Sequence, residues 1–508
     1  MRLNTKFFYL ITVFCAGLAF TGCSDDEPNY KRTDPPTPTD PVTPVTPTTP
    51  TISATIKNAT GFANQVAGEI YLWSDQIASA IKNKLNPETC EDPIKAWEEI
   101  RYKNGDIQDR WSMVTDDYAS FYNSTQNIEV TYGWDVSIFY VDSSQKTVCF
   151  VVNFVYEGSP AANAGIKRGD VILTYNGKDI TTSNYQSVYY STSGTFGYSH
   201  GSNDPTDTVN LSAIQMYENP ILVQKIFDIN GKKVGYIHYT GFDEKSVEPL
   251  KAISKEYKAA GVTELILDLR YNGGGFVKTE EIMAAMYGPW ADKNTKTIYQ
   301  QDIYNATYNE AWKDTRFHYL NVDDNGDNYI DQSYNIGLQK IYAIVSSGTA
   351  SASESILVGL MPYVPIEIIG SEHTHGKYCT GWVLSAPMWY TQLTNQGSTP
   401  AGISNWGFYV MISRYADKDG NCPIMPNGFT PTINAKDKPN DGYPLGDARE
   451  TMLAAALQAA GYAGTRAVNE GKTPVLGQKF SRQIHPRNFG LRIDNRRIKQ
   501  QMVESVDE

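Results

Sequence analysis

The chain has 508 residues, enough for about three domains at the usual 100–200 residues each. Hydrophobic residues make up 41% and charged residues 20%, the balance of a globular protein, and the 34 tyrosines suit half-buried strands. A net charge of −12 without a basic patch argues against a nucleic-acid partner.

Residues 1–22 read as an export signal. Arg2 and Lys6 supply positive charge, and the apolar run Phe7–Phe20 is too short to cross a bilayer as a helix. The run ends at Thr21-Gly22-Cys23. A small residue before a cysteine resembles the bacterial lipobox, although Phe20 stands where leucine is usual. The resemblance implies that Cys23 receives a diacylglyceryl group and becomes the new N-terminus. The acidic stretch Ser24-Asp25-Asp26-Glu27 resembles the surface-export signal of some Gram-negative lipoproteins. The expected location is therefore the envelope of a Gram-negative bacterium, lipid-anchored in the outer membrane on its periplasmic or outer face. Residues 23–52 follow as a tether, because Thr33–Pro50 is so rich in Thr, Pro and Asp that it cannot pack a core.

A helical domain is expected over 53–125. Val66, Ile70, Trp73, Ile77, Ile81 and Leu85 recur at helical spacing and predict one helix ending near Pro87. Pro93–Tyr102 predicts a second helix, and Trp111–Tyr122 a packed hairpin or short helix.

Strand patterns dominate 126–225. Within them, Glu157-Gly158-Ser159-Pro160-Ala161-Ala162-Asn163-Ala164-Gly165-Ile166-Lys167-Arg168-Gly169-Asp170 predicts a Pro-initiated helix, a glycine turn and then an apolar strand. This stretch resembles the PDZ signature of bacterial proteases. Such domains take an extended peptide as an added strand and hold its terminal carboxylate on backbone N–H groups. Tyr132, Gly133, Trp134, Asp135 and Val136 stand where that loop is expected.

Strand and helix signals alternate over 226–462, arguing for an α/β domain with a partly parallel sheet. Strands are expected at Val234–Tyr239, Glu264–Leu269, Lys340–Val345, Ile366–Ile369 and Phe408–Ser413. Helices are expected at Val247–Ala260, Ala350–Leu360 and Asp447–Ala460. Residues 463–508 show little periodicity and read as a tail.

Chemistry concentrates at three strand ends, where open α/β sheets gather it. Ser351 lies in Ser346-Ser347-Gly348-Thr349-Ala350-Ser351-Ala352-Ser353-Glu354, at a strand-to-helix turn. There the free N–H groups and the positive end of the helix dipole can hold an oxyanion. Serine is also a preferred N-cap, so position alone leaves both uses open. Gly370–Lys377 delivers Lys377 on a loop after a second strand. Asp268-Leu269-Arg270-Tyr271-Asn272-Gly273-Gly274-Gly275 ends a third strand in a glycine turn.

Together these segments resemble the carboxyl-terminal processing (tail-specific) serine peptidase family, and the likeness extends from the PDZ segment to about Ala460, including Tyr236-Ile237 and Arg414-Tyr415. It implies a multi-domain α/β fold: an N-terminal helical domain, a PDZ-like β-rich domain, and a peptidase domain of the ClpP/crotonase-like type. It also implies Ser351 as nucleophile and Lys377 as general base, with Glu354 in support. The implied oxyanion hole is the N–H of Ala352 with that of Gly273 or Gly274. No cofactor is implied. A lysine serves as a base only when neutral, and burial lowers its pKa toward that condition. The family often places a glutamine four residues after the lysine; here Gly381 stands there, and the third member is unassigned.

Rival chemistries are weaker. His373 and His375 flank the lysine loop without a matching family position, and HxH lacks a third ligand for zinc. Cys379 as a nucleophile would need a nearby thiolate-stabilising partner, and structural or disulfide use is the plainer reading; Cys90, Cys149, Cys379 and Cys422 show no CxxC spacing. Asp323, Asn325, Asp327 and Asp331 alternate as in a calcium loop, but the twelfth position is Tyr334, not glutamate. A polar insertion is the plainer reading. The expected function is an endopeptidase for polypeptides, unfolded or with exposed C-termini, recognised through the PDZ domain. The alternative is an inactive peptide-binding surface lipoprotein on the same scaffold. A hydrolase of esters or other amides is a third reading.

Overall fold

The structure is a computed structural model that describes residues 52–141, 143–200, 205–291, 293–320, 322–464, 479–480 and 490–494. The expected signal, Cys23 and the tether up to Thr51 lie outside these residues, as does most of the segment after Gly464.

Two sheets frame the peptidase region. The first runs, in spatial order, Ile221–Ile229, Lys232–Tyr239, Val262–Asp268, Lys340–Ile344, Ile366–Gly370 and Ile433–Asn434. Its first pair is antiparallel and the rest are parallel. Val262–Asp268 and Lys340–Ile344 are nearly all buried, as strands covered on both faces must be. Helix Thr451–Ala459 covers one face with Met452, Leu453, Ala456 and Leu457. On the other lie helices Val247–Ala259 and Val277–Tyr287 and the wholly buried helix Ala352–Leu360.

The second sheet runs Gly274–Phe276, Leu491–Ile493, Cys379–Ser385, Gly407–Asp417, Ile298–Tyr304 and Phe317–Tyr319, and Met113–Thr115 also pairs with Gly407–Asp417. Leu491–Ile493 corrects the expectation of a tail. This strand is fully buried between two others, and Arg492 pairs with Glu280 at 3.1 Å while donating to Gln300 Oε1 at 2.6 Å and to Thr380 Oγ1. A three-residue strand is too short to leave a periodicity, and its arginine disguises it as surface.

The helix expected from Val66 to Leu85 divides into Ala54–Glu69 and Ala78–Lys84, with turns between them. Tyr71, Leu72 and Trp73 nevertheless stay buried, because the break lets Leu72 N–H donate to Met411 O at 2.9 Å. These helices share one apolar core with the peptidase sheets.

The PDZ region is an antiparallel sheet in the order Asp207–Ser212, Ser193–Ser199, Val171–Tyr175, Val148–Val155, Trp134–Tyr140. Ser159 caps the helix Pro160–Asn163 through the N–H of Ala162, as the Pro-initiated pattern predicts. Its core is separate, built from Val148, Phe150, Val152, Ile172, Phe196 and their neighbours.

Candidate active site

Ser351 sits at the N-cap of helix Ala352–Leu360, at φ 66 and ψ −117. A non-glycine residue there is strained, and such strain persists only where the surroundings impose it. Its Oγ is buried and makes no hydrogen bond, so the side chain does not cap the helix. Ser351 N–H donates to Glu354 Oε2 at 3.0 Å, the backbone half of a capping box.

Glu354 also holds the lysine loop. The same Oε2 accepts Lys377 N–H at 2.8 Å, while Oε1 accepts Gly376 N–H at 2.6 Å and Thr374 Oγ1 at 2.5 Å. Burial raises the carboxyl pKa of Glu354, and these donors oppose the rise. Tyr415 Oη closes a second bracket by facing the carbonyls of Lys377 at 2.6 Å and Ser351 at 3.3 Å. The two residues are thus tied together through both backbone faces.

The Lys377 side chain is wholly buried, and burial lowers its pKa to about 7 against the opposing pull of Asp109 and Glu354. Nζ donates to Tyr409 Oη at 2.6 Å and lies over the rings of Tyr409 and Trp111. Tyr409 Oη in turn donates to Arg492 O at 3.2 Å. Neither Tyr409 nor Arg492 was singled out from the sequence: Tyr409 reads as an ordinary strand aromatic. One signal was available, the glycine at 381. A Cβ there would lie 2.5 Å from Tyr409 Cε2, so the small residue at 381 and the tyrosine at 409 occupy one space between them.

The glycine turn lies against Ser351. Gly274, at φ 111, leaves no room for a Cβ, which would fall 2.8 Å from Ser351 Cβ and 2.3 Å from Leu491 O. Gly274 spends its N–H on Asn272 Oδ1 at 2.9 Å. Gly273 lines a cleft with Ser346 and Gly348 on one side and Asp135 to Phe139 of the PDZ strand on the other.

The remaining expected residues fall as follows. Tyr132 and Trp134 turn into the PDZ core, each about 5 Å from Phe196. Gly133 N–H donates to Thr131 Oγ1 at 2.8 Å. Asp135 and Val136 do line the cleft, and burial raises Asp135 to about 6 and its neighbour Glu218 to about 8. His375 Nε2 accepts from Trp111 Nε1 at 3.3 Å, and His373 stands beside Thr430. Cys379 is buried, which holds its thiol well above the ordinary range, and all four described cysteines are unpaired. Asp323, Asn325, Asp327 and Asp331 accept N–H groups of their own loop: Asp323 takes Gly326, Asp327 and Asn328, and Asp331 takes Ser333. That is the bonding of a polar insertion. A different trio, Asp302, His318 and Asp494, converges in the interior, where His318 bridges Asp302 at 2.6 Å and Glu281 at 2.8 Å.

Comparison with known proteins agrees with this fold. Residues 233–435 match peptidase family S41 and residues 151–194 match the PDZ domain. The chain is 26% identical over 255 residues to the chloroplastic carboxyl-terminal-processing peptidase 3 of Arabidopsis thaliana, covering 47% of this chain and 44% of that protein. It is 25% identical over 281 residues to the carboxy-terminal processing protease CtpA of Bacillus subtilis, covering 55% and 52%. The chain thus spans about half the length of these curated relatives. A crystal structure assigned as an S41 protease, from Bacteroides fragilis, superposes over 79% of this chain and 97% of its own with a TM-score of 0.60 at 21% identity. The chain therefore carries an S41 peptidase domain over residues 233–435 and a PDZ domain ahead of it over 151–194, and it is similar to proteins named carboxyl-terminal processing proteases.

Proposed function

We infer that the chain is a serine endopeptidase in which Ser351 is the nucleophile and Lys377 its general base. The observation that carries this reading is a buried serine hydroxyl without a partner, on a strained helix N-cap tied to a lysine whose pKa burial lowers to about 7. Neutral Lys377 Nζ takes the Oγ proton as Oγ attacks the substrate carbonyl, then returns that proton to the departing amine. Water hydrolyses the acyl-enzyme by the same route. The oxyanion rests on the N–H of Ala352 and, since Gly274 N–H is committed to Asn272, on that of Gly273. Tyr409 positions the amine, and Glu354 positions both chain segments. The substrates are polypeptides, unfolded or with exposed ends, brought in through the PDZ domain. Cys23 carries the lipid anchor to the outer membrane of a Gram-negative cell, a reading supported by the sequence of residues 1–27; metabolic labelling with radioactive palmitate, lost in Cys23→Ala, tests it.

The alternative, a binding protein without turnover, draws on one observation: Lys377 Nζ donates to Tyr409 and Ser351 Oγ has no partner. Incubating the protein with an unfolded polypeptide, beside Ser351→Ala and Lys377→Ala, separates the two. Cleavage lost in both variants supports the enzyme; equal inertness in all three supports the binder.

A further inference from the structure

The outer strand of the PDZ sheet, Trp134–Tyr140, has one edge paired to Val148–Val155. An open strand edge is a template for another strand, and PDZ domains take their peptide on such an edge. In this chain part of that edge is already taken. Lys479 forms an antiparallel bridge with Phe139, and Phe480 N–H donates to Ile138 O at 2.9 Å. The Phe480 ring is 7% exposed, packed edge-on against Tyr140 at 5.2 Å and against Tyr185 of helix Tyr185–Tyr189 at 5.1 Å. Among the described residues it is the one member of the buried PDZ core that comes from beyond residue 211.

The direction matters as much as the contact. Antiparallel pairing sets Lys479 against Phe139 and Phe480 against Ile138, so the chain direction across these two residues is toward the Gly133 end of the strand. That is the polarity of a peptide whose C-terminal end points at the turn. Ten residues later the same segment reaches the hydrolytic centre, where Gly490 N–H donates to Gly273 O at 2.8 Å and Leu491–Ile493 lies beside Gly274–Phe276. Lys479 and Phe480 also line the cleft that leads from the PDZ strand to Gly273.

We propose that Lys479–Phe480 is a tethered occupant of the PDZ groove, which an incoming polypeptide must displace by placing its own large apolar side chain between Tyr140 and Tyr185. A tethered competitor acts at a high effective concentration, so it raises the apparent dissociation constant of any free ligand. The proposal rests on the PDZ domain and needs no turnover.

The test uses the full chain in detergent, carrying Ser351→Ala so that nothing is cleaved. The probe is a fluorescein-labelled peptide copying residues 475–485 of this chain, read by anisotropy. Phe480→Ala is expected to bind it about tenfold or more tighter than the parent. The variant Phe139→Cys/Lys479→Cys supplies an independent readout, since a non-hydrogen-bonded antiparallel pair brings side chains close enough for a disulfide. Its oxidised form should lose probe binding and regain it on reduction. Equal affinity in parent and Phe480→Ala, or no binding by any form, overturns the proposal. If Phe480→Ala melts below the assay temperature, the cysteine pair decides alone: oxidised and reduced forms binding alike overturns it. Failure of the hydrolysis reading would show in cleavage assays of the unmutated serine and would leave these binding results untouched.

Discussion

Gly381 and Tyr409 share one volume beside Lys377. A Cβ at 381 would stand 2.5 Å from the tyrosine ring, and the tyrosine hydroxyl takes the hydrogen bond of Nζ at 2.6 Å. At the position where the resemblance implies a glutamine, Gly381 leaves room for the tyrosine of the neighbouring strand. Tyr409→Phe should lower kcat about tenfold, in the low range for a misplaced base. Losing an acceptor of the ammonium favours the neutral amine, so the acid limb of the pH–rate profile should also move to lower pH. Gly381→Gln alone should destabilise the fold by overpacking, and the added change Tyr409→Ala should restore stability and part of the activity. A thermal melt and a pH–rate profile of the three variants check this. A double variant no better folded than Gly381→Gln would break the account.

In the proposed dyad the lysine sets the pH dependence. With a folded pKa of about 7, the base is charged in acid and neutral in mild alkali, so cleavage should rise as pH passes through about 7. Ser351→Ala and Lys377→Ala should each reduce cleavage on the order of 10⁴-fold, and the double variant should be no worse, because the two act as a unit.

Stability moves with the same proton. The unfolded lysine binds its proton up to about 10.5, whereas the folded one sheds it near 7. Between those values the unfolded state holds more protons, so stability rises with pH across that window. Lys377→Met removes the penalty and should stabilise the protein at pH 7 by on the order of a few kcal/mol. A Tm that is unchanged or lower would mean that the amine is better solvated than its burial implies.

Glu354 accepts three backbone N–H groups and one hydroxyl, which only a carboxylate can do with two oxygens. Glu354→Gln turns an amide N–H toward at least one of these donors. A loss of about 1–3 kcal/mol and a fall in kcat are expected, measured by denaturant melts and initial rates.

The strand at 491–493 should behave as core. Arg492→Met leaves Glu280 buried without its ion pair at 3.1 Å and should cost about 3–5 kcal/mol. Deleting residues 490–508 should do at least as much harm, which circular dichroism melts would show. A true tail would tolerate both changes.

Much of this protein was legible in the order of its residues. Apolar runs punctuated by glycine placed the strands Val234–Tyr239 and Lys340–Val345 within a few residues of their observed bounds, Lys232–Tyr239 and Lys340–Ile344. The turn before Ser351 and the glycines at 273–275 marked the candidate site for the same reason: backbone geometry at strand ends is written locally. What sequence could not decide was whether Ser351 caps its helix, for that depends on a φ of 66 imposed by Gly274 and the Glu354 clamp. Nor could it place Tyr409 behind Gly381, Arg492 inside the sheet or Phe480 in the PDZ core. Each depends on segments far apart in the chain meeting in space, and burial, which lowers the lysine pKa and hides the arginine, belongs to the packed fold alone.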